Sequence, residues 1–384
     1  MVINEKKIQT YLGAFICMIS MILLAYINNT ISKLLMIFFI VFTILKHFYK
    51  VKYSLGQKNI ILWFLFSLWS AYSLLWSAIE MRIDVVIVLF FIGFVALSVV
   101  LTANTKNKIL IYLKMYVFSS VALELYMLSY YGVTTIFQER INNDVLNSNR
   151  AGIIFAYSAL ICLLLFDVLK NKLYIFMLAF LGFGVLVTGS KAAVGSLIIE
   201  IVVFEIVKSY HENGFKRIRN CGIMVVLLLV VFSLITKIPS LYNIIGKRLI
   251  DFLDNVFKGT TVISRSTLIR QELIEVAIER FLKRPLVGWG IGNFSYLNVY
   301  QTYAHSNLVE LLADTGIIGA ILFYANYIVI AIRSFRAENE LTKAFAYAFL
   351  AASFFLCFCS VNFNEVNDII LIFLVAIYIR FNES

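Results

Sequence analysis

The sequence predicts an all-α, polytopic transmembrane bundle of about twelve spanning helices, with one large, partly helical extracytoplasmic loop. Three observations carry the prediction. Hydrophobic residues make up 61% of the chain and charged residues 14%, where a soluble domain has close to half and about a quarter. Apolar runs of ~17 to 23 residues, the length a bilayer core demands, follow one another along most of the chain. Lys and Arg cluster in every second connection between those runs, the asymmetry that orients helices in a membrane. The runs do not alternate apolar with polar as barrel strands do. Backbone groups in hydrocarbon need internal partners, which leaves helices.

Taken in order, spans are expected at 8–27, 33–49, 59–77, 84–103, 109–131, 151–169, 173–189, 192–208, 220–236, 316–335, 343–360 and 366–380. The first shows no small-residue cleavage site and reads as a retained helix. The connections holding Lys46/Lys50/Lys52/Lys58, Lys106/Lys108, Lys170/Lys172, Lys208/Lys216/Arg217/Arg219 and Arg333/Arg336/Lys343 are expected to be cytoplasmic. Lys6, Lys7 and Arg380 put both termini on that side, as an even number of spans requires. The long run 173–208 is read as broken at Thr188-Gly189-Ser190-Lys191, and the sidedness of everything downstream depends on that break.

Three parts result: 1–236 with the first nine helices, the extracytoplasmic loop 237–315, and 316–384 with the last three. The other outer connections are 28–32, 78–83, 132–150, the turn at 188–191 and 361–365. Long connections without spanning potential are usually functional or disordered. The loop 237–315 carries apolar residues at helical spacing, which argues against disorder.

The net charge of +11 sits in short clusters between apolar runs, where it sets orientation and does not mark a nucleic-acid surface. All five cysteines, Cys17, Cys162, Cys221, Cys357 and Cys359, fall in apolar runs, so neither a disulfide framework nor a zinc site is expected. No Asp-x-Asp motif or ligand cluster lies outside the spans. That favours metal-independent chemistry with no cofactor.

Candidate chemistry concentrates in the large loop. On a helical wheel over Val262 to Leu282, Ile269, Leu273, Ile274, Ala277 and Phe281 share one face, with Glu272, Glu275, Glu279 and Arg265 opposite. Arg270 falls inside the apolar face, and Arg280 shares that placement. A guanidinium there needs an anion or a watery cavity; snorkelling, or pairing with an acidic neighbour, is the alternative. His305 is the one external histidine, its titration range suited to proton transfer near neutral pH; a purely structural histidine is the alternative. Glu124, Glu200 and Glu205 lie within spans, where an ionisable group is functional by default or else paired. Trp63, Trp76, Tyr130 and Tyr131 read as interface anchors. Gly290, Gly292 and Gly316 read as turn residues.

Two blocks sharpen this. RPLVGWGIGNF at 284–294 and AHSNLVELLADTGIIGAILF at 304–323 together resemble the signature of the O-antigen ligase and polymerase superfamily. The matches are Pro285, Gly288, Gly290, Gly292, Asn293, Phe294, His305, Glu310, Gly316 and Gly319. The family's arginine fifteen positions before the proline falls on Arg270. Thr188-Gly189-Ser190-Lys191-Ala192 resembles the family's Thr-Gly-Ser-Arg block, with Lys191 in place of arginine, so that a two-point grip on phosphate becomes a point charge. Asn147-Ser148-Asn149 with Gly152, and Arg140 upstream, resembles its Asn-Pro-Asn approach to a helix, without the proline. Ile274 stands where the family often has an aromatic residue. The resemblance covers hydropathy over the whole chain and sharp motifs only over about 184–195 and 264–323.

It implies an integral-membrane glycosyltransferase of the cytoplasmic membrane's outer face, using glycan linked to undecaprenyl pyrophosphate. Arg270 and Lys191 would hold the diphosphate, with Arg265 and Arg140 as further cations. His305 would orient or deprotonate the acceptor hydroxyl, and Glu310 would orient His305 or bind sugar, a helix-capping role being its alternative. The leading reading is a repeat-unit polymerase of O-antigen, capsule or exopolysaccharide, working beside a flippase and a chain-length regulator. The second is the ligase that moves finished polymer to lipid A-core. A reading of another class is a lipid-linked oligosaccharide flippase, against which the long loop and its motif blocks argue.

Overall fold

A computed structural model describes residues 5–55, 57–77, 79–132, 147–210, 219, 222, 230, 232–247, 250 and 265–382. Every regular element among them is helical. In chain order they include α1 (Glu5–Ile19, continued by a π turn over Ser20–Leu24), α2 (Asn29–Lys46), α3 (Phe48–Leu55), α4 (Lys58–Ser73), α5 (Ile83–Thr102) and α6 (Lys106–Tyr131). There follow α7 (Ser148–Leu169), α8 (Leu173–Val187), α9 (Lys191–Lys208), α10 (Arg265–Lys283), α11 (Asn307–Arg336), α12 (Glu340–Cys357) and α13 (Val366–Arg380).

Eight helices of the described residues are long and apolar enough to cross a bilayer, where about twelve were expected: α1, α2, α4 with its last turn to Trp76, α5, α6, α7, α11 and α12. The difference is physical. Helix α8 has 15 residues, about 22 Å at ~1.5 Å per residue, short of a ~30 Å hydrocarbon core; α13 is equally short. Helix α9 carries Lys191, Glu200, Glu205 and Lys208 within 18 residues. The expected span 220–236 lies largely outside the described residues, as do Arg140, His211 and Cys221.

The break read at 188–191 is real. Thr188 ends α8, Gly189 turns with φ 61, and Ser190 caps α9 by accepting from the Ala193 amide at 3.3 Å, which satisfies a donor the helix start would otherwise orphan. At the opposite ends of these helices, Lys208 pairs with Asp167 at 2.5 Å, and Lys170 pairs with the same carboxylate at 3.4 Å. Helix α13 is buried from Asn367 to Ile379 and stands as a central post, packed against α5, α6, α11 and α12. Trp63 belongs to this core and not to the membrane interface: it is 1% exposed, donates to the Leu89 carbonyl at 3.0 Å, and packs on Phe66, Phe323 and Phe373.

One interruption shapes the functional end. Helix α11 is broken at Gly316, where φ is 66 and ψ −171, a conformation essentially reserved for glycine. The break makes two limbs, 307–315 and 317–336. Asn307 on the first donates to the Tyr324 hydroxyl on the second at 3.0 Å, so the limbs fold against each other and the second starts where the sequence expected a span. A Cβ on Gly316 would lie 2.3 Å from the Leu286 carbonyl oxygen and 2.6 Å from the Val287 nitrogen. Gly316→Ala is therefore expected to cost roughly 2–4 kcal/mol, combining backbone strain with overpacking, read as a lower unfolding temperature in detergent. Gly182→Ala, with open space around it, is the matched control and should leave that temperature unchanged or raise it.

Candidate functional site

The segment between α10 and α11 is irregular yet fixed, because a buried carboxyl group organises it. Asp314, fully buried on the first limb of α11, accepts from the Gly292 amide at 2.7 Å and the Phe294 amide at 2.8 Å. Its carbonyl takes the Gly290 amide at 2.8 Å, and the Ala313 carbonyl takes the Trp289 amide at 3.0 Å. The Ile317 amide closes the loop from the far side of the break by donating to the Pro285 carbonyl at 2.9 Å. Gly288, Gly290 and Gly292 all have positive φ, as turn residues there require. At Gly288 even a methyl group would strike the Asp314 carbonyl oxygen at 2.4 Å.

This loop is clamped to the turn between α4 and α5. The Asn293 side chain accepts from the Ile79 and Glu80 amides at 3.2 Å each and donates to the Ser77 hydroxyl at 2.6 Å. The Ile291 amide donates to the Ser73 hydroxyl at 3.0 Å. Two tryptophans complete the clamp: Trp69 donates to the Thr315 carbonyl at 3.0 Å, and Trp76 to the Val287 carbonyl at 3.3 Å. Trp76 thus serves the loop. The second sequence block is held as firmly. Ser306 donates to the Cys357 carbonyl at 3.0 Å, and the Asn307 side-chain oxygen accepts from the Asn362 and Phe363 amides at 3.0 and 2.9 Å.

His305 sits on this frame in the left-handed region, φ 58, uncommon for a residue with a side chain. Its ring lies 4.2 Å from that of Tyr303. Partial burial, and then the positive charge of Arg270, pull its pKa down to about 4, so the imidazole is neutral near pH 7 and able to accept a proton. Arg270 also acts on Cys359, where it offsets part of the rise that burial imposes on the thiol. Arg270 therefore lies within electrostatic reach of His305 and of Cys359 in the turn after α12.

The expected apolar face of α10 exists, but Arg270 is not within it. Leu273 and Ala277 are fully buried against Phe294, Ala304 and Ala313, with Ile269, Val276 and Val309 packed around them, while Arg270 is exposed. No ion pair satisfies Arg270 among the described residues, so it faces solvent at the edge of the site with its charge available. Arg280, half-buried, lies over Trp289 and donates to the Leu297 carbonyl at 3.4 Å. Arg265 starts α10, its side chain outside the described set, and Arg140 lies outside the described residues altogether.

Glu310 faces inward. It is 6% exposed and accepts from the Ala304 amide at 2.7 Å, one residue before His305, so the carboxyl shapes the backbone that presents the imidazole. Lys191, half-buried, occupies the first turn of α9. A Cβ on Gly152 would come within 2.7 Å of the Thr188 hydroxyl, and one on Gly195 within 2.8 Å of the Phe355 ring, so the Lys191 turn sits between the start of α7 and the end of α12.

Three contributors escaped the sequence reading. Arg150, 9% exposed, bonds Asp368 at 2.9 Å, the Val361 carbonyl at 2.8 Å and Glu365 at 2.5 Å, which braces the turn that Asn307 holds. It directly follows the Asn147-Ser148-Asn149 block. Asp314 and Asn307 lie inside the quoted 304–323 block, and the one available signal for Asp314 was its spacing of four from Glu310, which puts both carboxyls on one helix face.

Residues 176–324 match the family model described as O-antigen ligase, a stretch that runs from α8 to the second limb of α11 and contains Lys191, Arg270, His305 and both sequence blocks. No curated protein matches the chain.

Proposed function

Because this chain carries a domain of the O-antigen ligase and polymerase superfamily, we propose that it is a glycosyltransferase that extends a surface polysaccharide by joining repeat units linked to undecaprenyl pyrophosphate. The observation that carries the reading is an exposed Arg270, with no ion pair among the described residues, within electrostatic reach of a neutral His305 on a frame fixed by buried hydrogen bonds. Transfer needs two things beyond binding. The leaving diphosphate needs positive charge, and the attacking hydroxyl needs an acceptor for its proton.

In this mechanism the acceptor sugar hydroxyl attacks the anomeric carbon of the donor. The bond from that carbon to the diphosphate oxygen breaks, the hydroxyl proton passes to His305, and undecaprenyl pyrophosphate departs with the bonding pair. Arg270 meets the developing negative charge, and Lys191 adds a more distant cation. No metal ion is required by this scheme. The working face is the outer face of the cytoplasmic membrane, with both termini inside. The gathering of Lys170 and Lys208 on Asp167 at the opposite ends of α7 and α9 supports that orientation.

The test is product analysis with purified protein in vesicles supplied only with undecaprenyl-pyrophosphate-linked repeat unit. A ladder of lengthening glycans is the expected result. Transfer seen only when lipid A-core is added would replace polymerase by ligase, and translocation of the substrate without any new glycosidic bond would make the protein a transporter.

A further inference from the structure

Between Phe294 and the start of α11 the chain carries three tyrosines in the open: Tyr296 is 42% exposed, Tyr300 41% and Tyr303 42%. The segment that presents them is fixed from within. The buried Asn298 side chain accepts from the Tyr300 amide at 3.1 Å and the Thr302 amide at 3.4 Å, and donates to the Phe294 and Thr302 carbonyls at 2.8 Å each. Gln301 completes the turn in the left-handed region, φ 50. Aromatic rings held half in water on such a loop offer a large contact area at little cost in conformational freedom.

The three rings differ in what they already touch. Tyr296 lies under the Arg82 guanidinium at 5.8 Å and its hydroxyl bonds the Glu80 side chain, so it belongs to the clamp on the α4–α5 turn. Tyr300 donates to the Glu272 carboxylate on α10. Tyr303 is not engaged in this way. Its hydroxyl has no hydrogen-bond partner among the described residues, and its one ring contact is with the imidazole of His305, centre to centre 4.2 Å at 55°. Ala304 between them is fully buried with Leu273, Ala277 and Phe294, which leaves the rings on either side of it at the surface.

We propose that Tyr303 is the platform on which the acceptor sugar stacks, laying the ring that bears the attacking hydroxyl against the imidazole that takes its proton. The inference rests on the glycosyltransferase reading above and adds a substrate-binding residue to it. The chemistry selects the occupant. A pyranose presents a face of C–H groups rimmed by hydroxyls, and a tyrosine presents an apolar face with a polar tip, here with the phenol still available. Position selects the acceptor over the donor. A general base works within about 2.6–3.2 Å of the oxygen whose proton it takes, so the acceptor ring rests against whatever flanks the imidazole, and the side chain in ring contact with it is Tyr303.

Two measurements test it. In vesicles holding a fixed amount of undecaprenyl-pyrophosphate-linked repeat unit as donor, the acceptor is the same repeat-unit oligosaccharide, released from its lipid by mild acid and labelled at its reducing end. Tyr303→Leu is expected to raise the half-saturating concentration of that acceptor about tenfold, equivalent to about 1.4 kcal/mol and on the scale of one aromatic contact. The maximal rate and the donor dependence should change much less. Tyr303→Phe keeps the face, loses the hydroxyl and should fall between Tyr303→Leu and the parent. Val299→Ala, at a position 90% exposed on the same loop, should match the parent. Parent-like acceptor dependence in Tyr303→Leu overturns the proposal. A fall in maximal rate alone also overturns it, because Tyr303 then serves only to hold His305.

The second measurement needs no turnover. In saturation-transfer NMR on detergent-purified protein without donor, the released oligosaccharide is expected to gain signal on the C–H protons of one terminal sugar. Tyr303→Leu should lose that signal, Tyr303→Phe should keep most of it, and His305→Asn, which retains the platform, should still show it. No signal in the parent, or equal signal in the parent and Tyr303→Leu, overturns the platform even if polymer is made. Tyr303-dependent binding by a protein that forms no glycosidic bond with any acceptor instead overturns the glycosyltransferase reading.

Discussion

Replacing His305 by alanine is expected to slow glycan transfer by roughly 10²–10⁴-fold, the range a positioned general base contributes. Because His305 has φ 58, alanine adds backbone strain to the loss of the base. His305→Asn separates the two, since asparagine tolerates the left-handed region, and it should show a comparable loss at an unchanged unfolding temperature. The pH profile gives an independent reading. A general base works while neutral, and burial together with Arg270 holds His305 to about 4. The rate should stay level as pH falls through the usual histidine range near ~6.5 and drop only as it approaches about 4. Arg270→Ala removes the second of the two effects that lower this pKa, so the acid limb should move to higher pH while the maximal rate also falls with the lost diphosphate contact. Transfer by His305→Ala close to the parent rate removes histidine from the chemistry. An acid limb unmoved in Arg270→Ala separates the two residues functionally.

How far sequence could go is visible at Arg270. Periodicity fixes the angular phase of α10 correctly: Leu273 and Ala277 are its buried stripe. It carries no information on how far along the axis the partner limb covers that stripe. The cover reaches Ile269 and leaves Arg270 exposed, so the residue pointed out by family spacing stands for a different reason from the one the wheel suggested. Helix number is legible in part, with eight spans present among the described residues. Hydropathy measures the length of an apolar run, but α8 and α13 are cut short by turns held in tertiary structure, and α13 is buried by other helices instead of by lipid. Trp63 could be placed at the membrane surface from sequence because an aromatic near the end of a run looks the same whether lipid or protein surrounds it. The loop's own architecture was least legible. It depends on pairings between residues about twenty positions apart, such as Asp314 with Gly292 and Phe294, which no local pattern encodes.

That pairing carries the second large effect. Asp314→Ala removes the acceptor of two backbone N–H groups in a fully buried setting. The vacated space adjoins the buried Phe294 and the part-buried Gly292, so at least the Phe294 amide loses its partner at about 1–3 kcal/mol, with the charge-assisted bonds and the side-chain volume lost in addition. A total of roughly 3–6 kcal/mol would rival the whole stability of many domains, and the expected result is a protein that fails to accumulate or unfolds at a markedly lower temperature. Asp314→Asn refines the argument. Its amide oxygen can still serve one N–H, but its NH₂ group then confronts the other, so it should fall between alanine and the parent. Glu310→Gln is the contrast: its single bond, to the Ala304 amide, can be kept by the amide oxygen, so the protein should fold with His305 still in place. If Asp314→Ala is as stable as the parent, the loop is held by its clamp to the α4–α5 turn through Asn293 and not by the buried carboxyl, and His305 owes its position to that clamp.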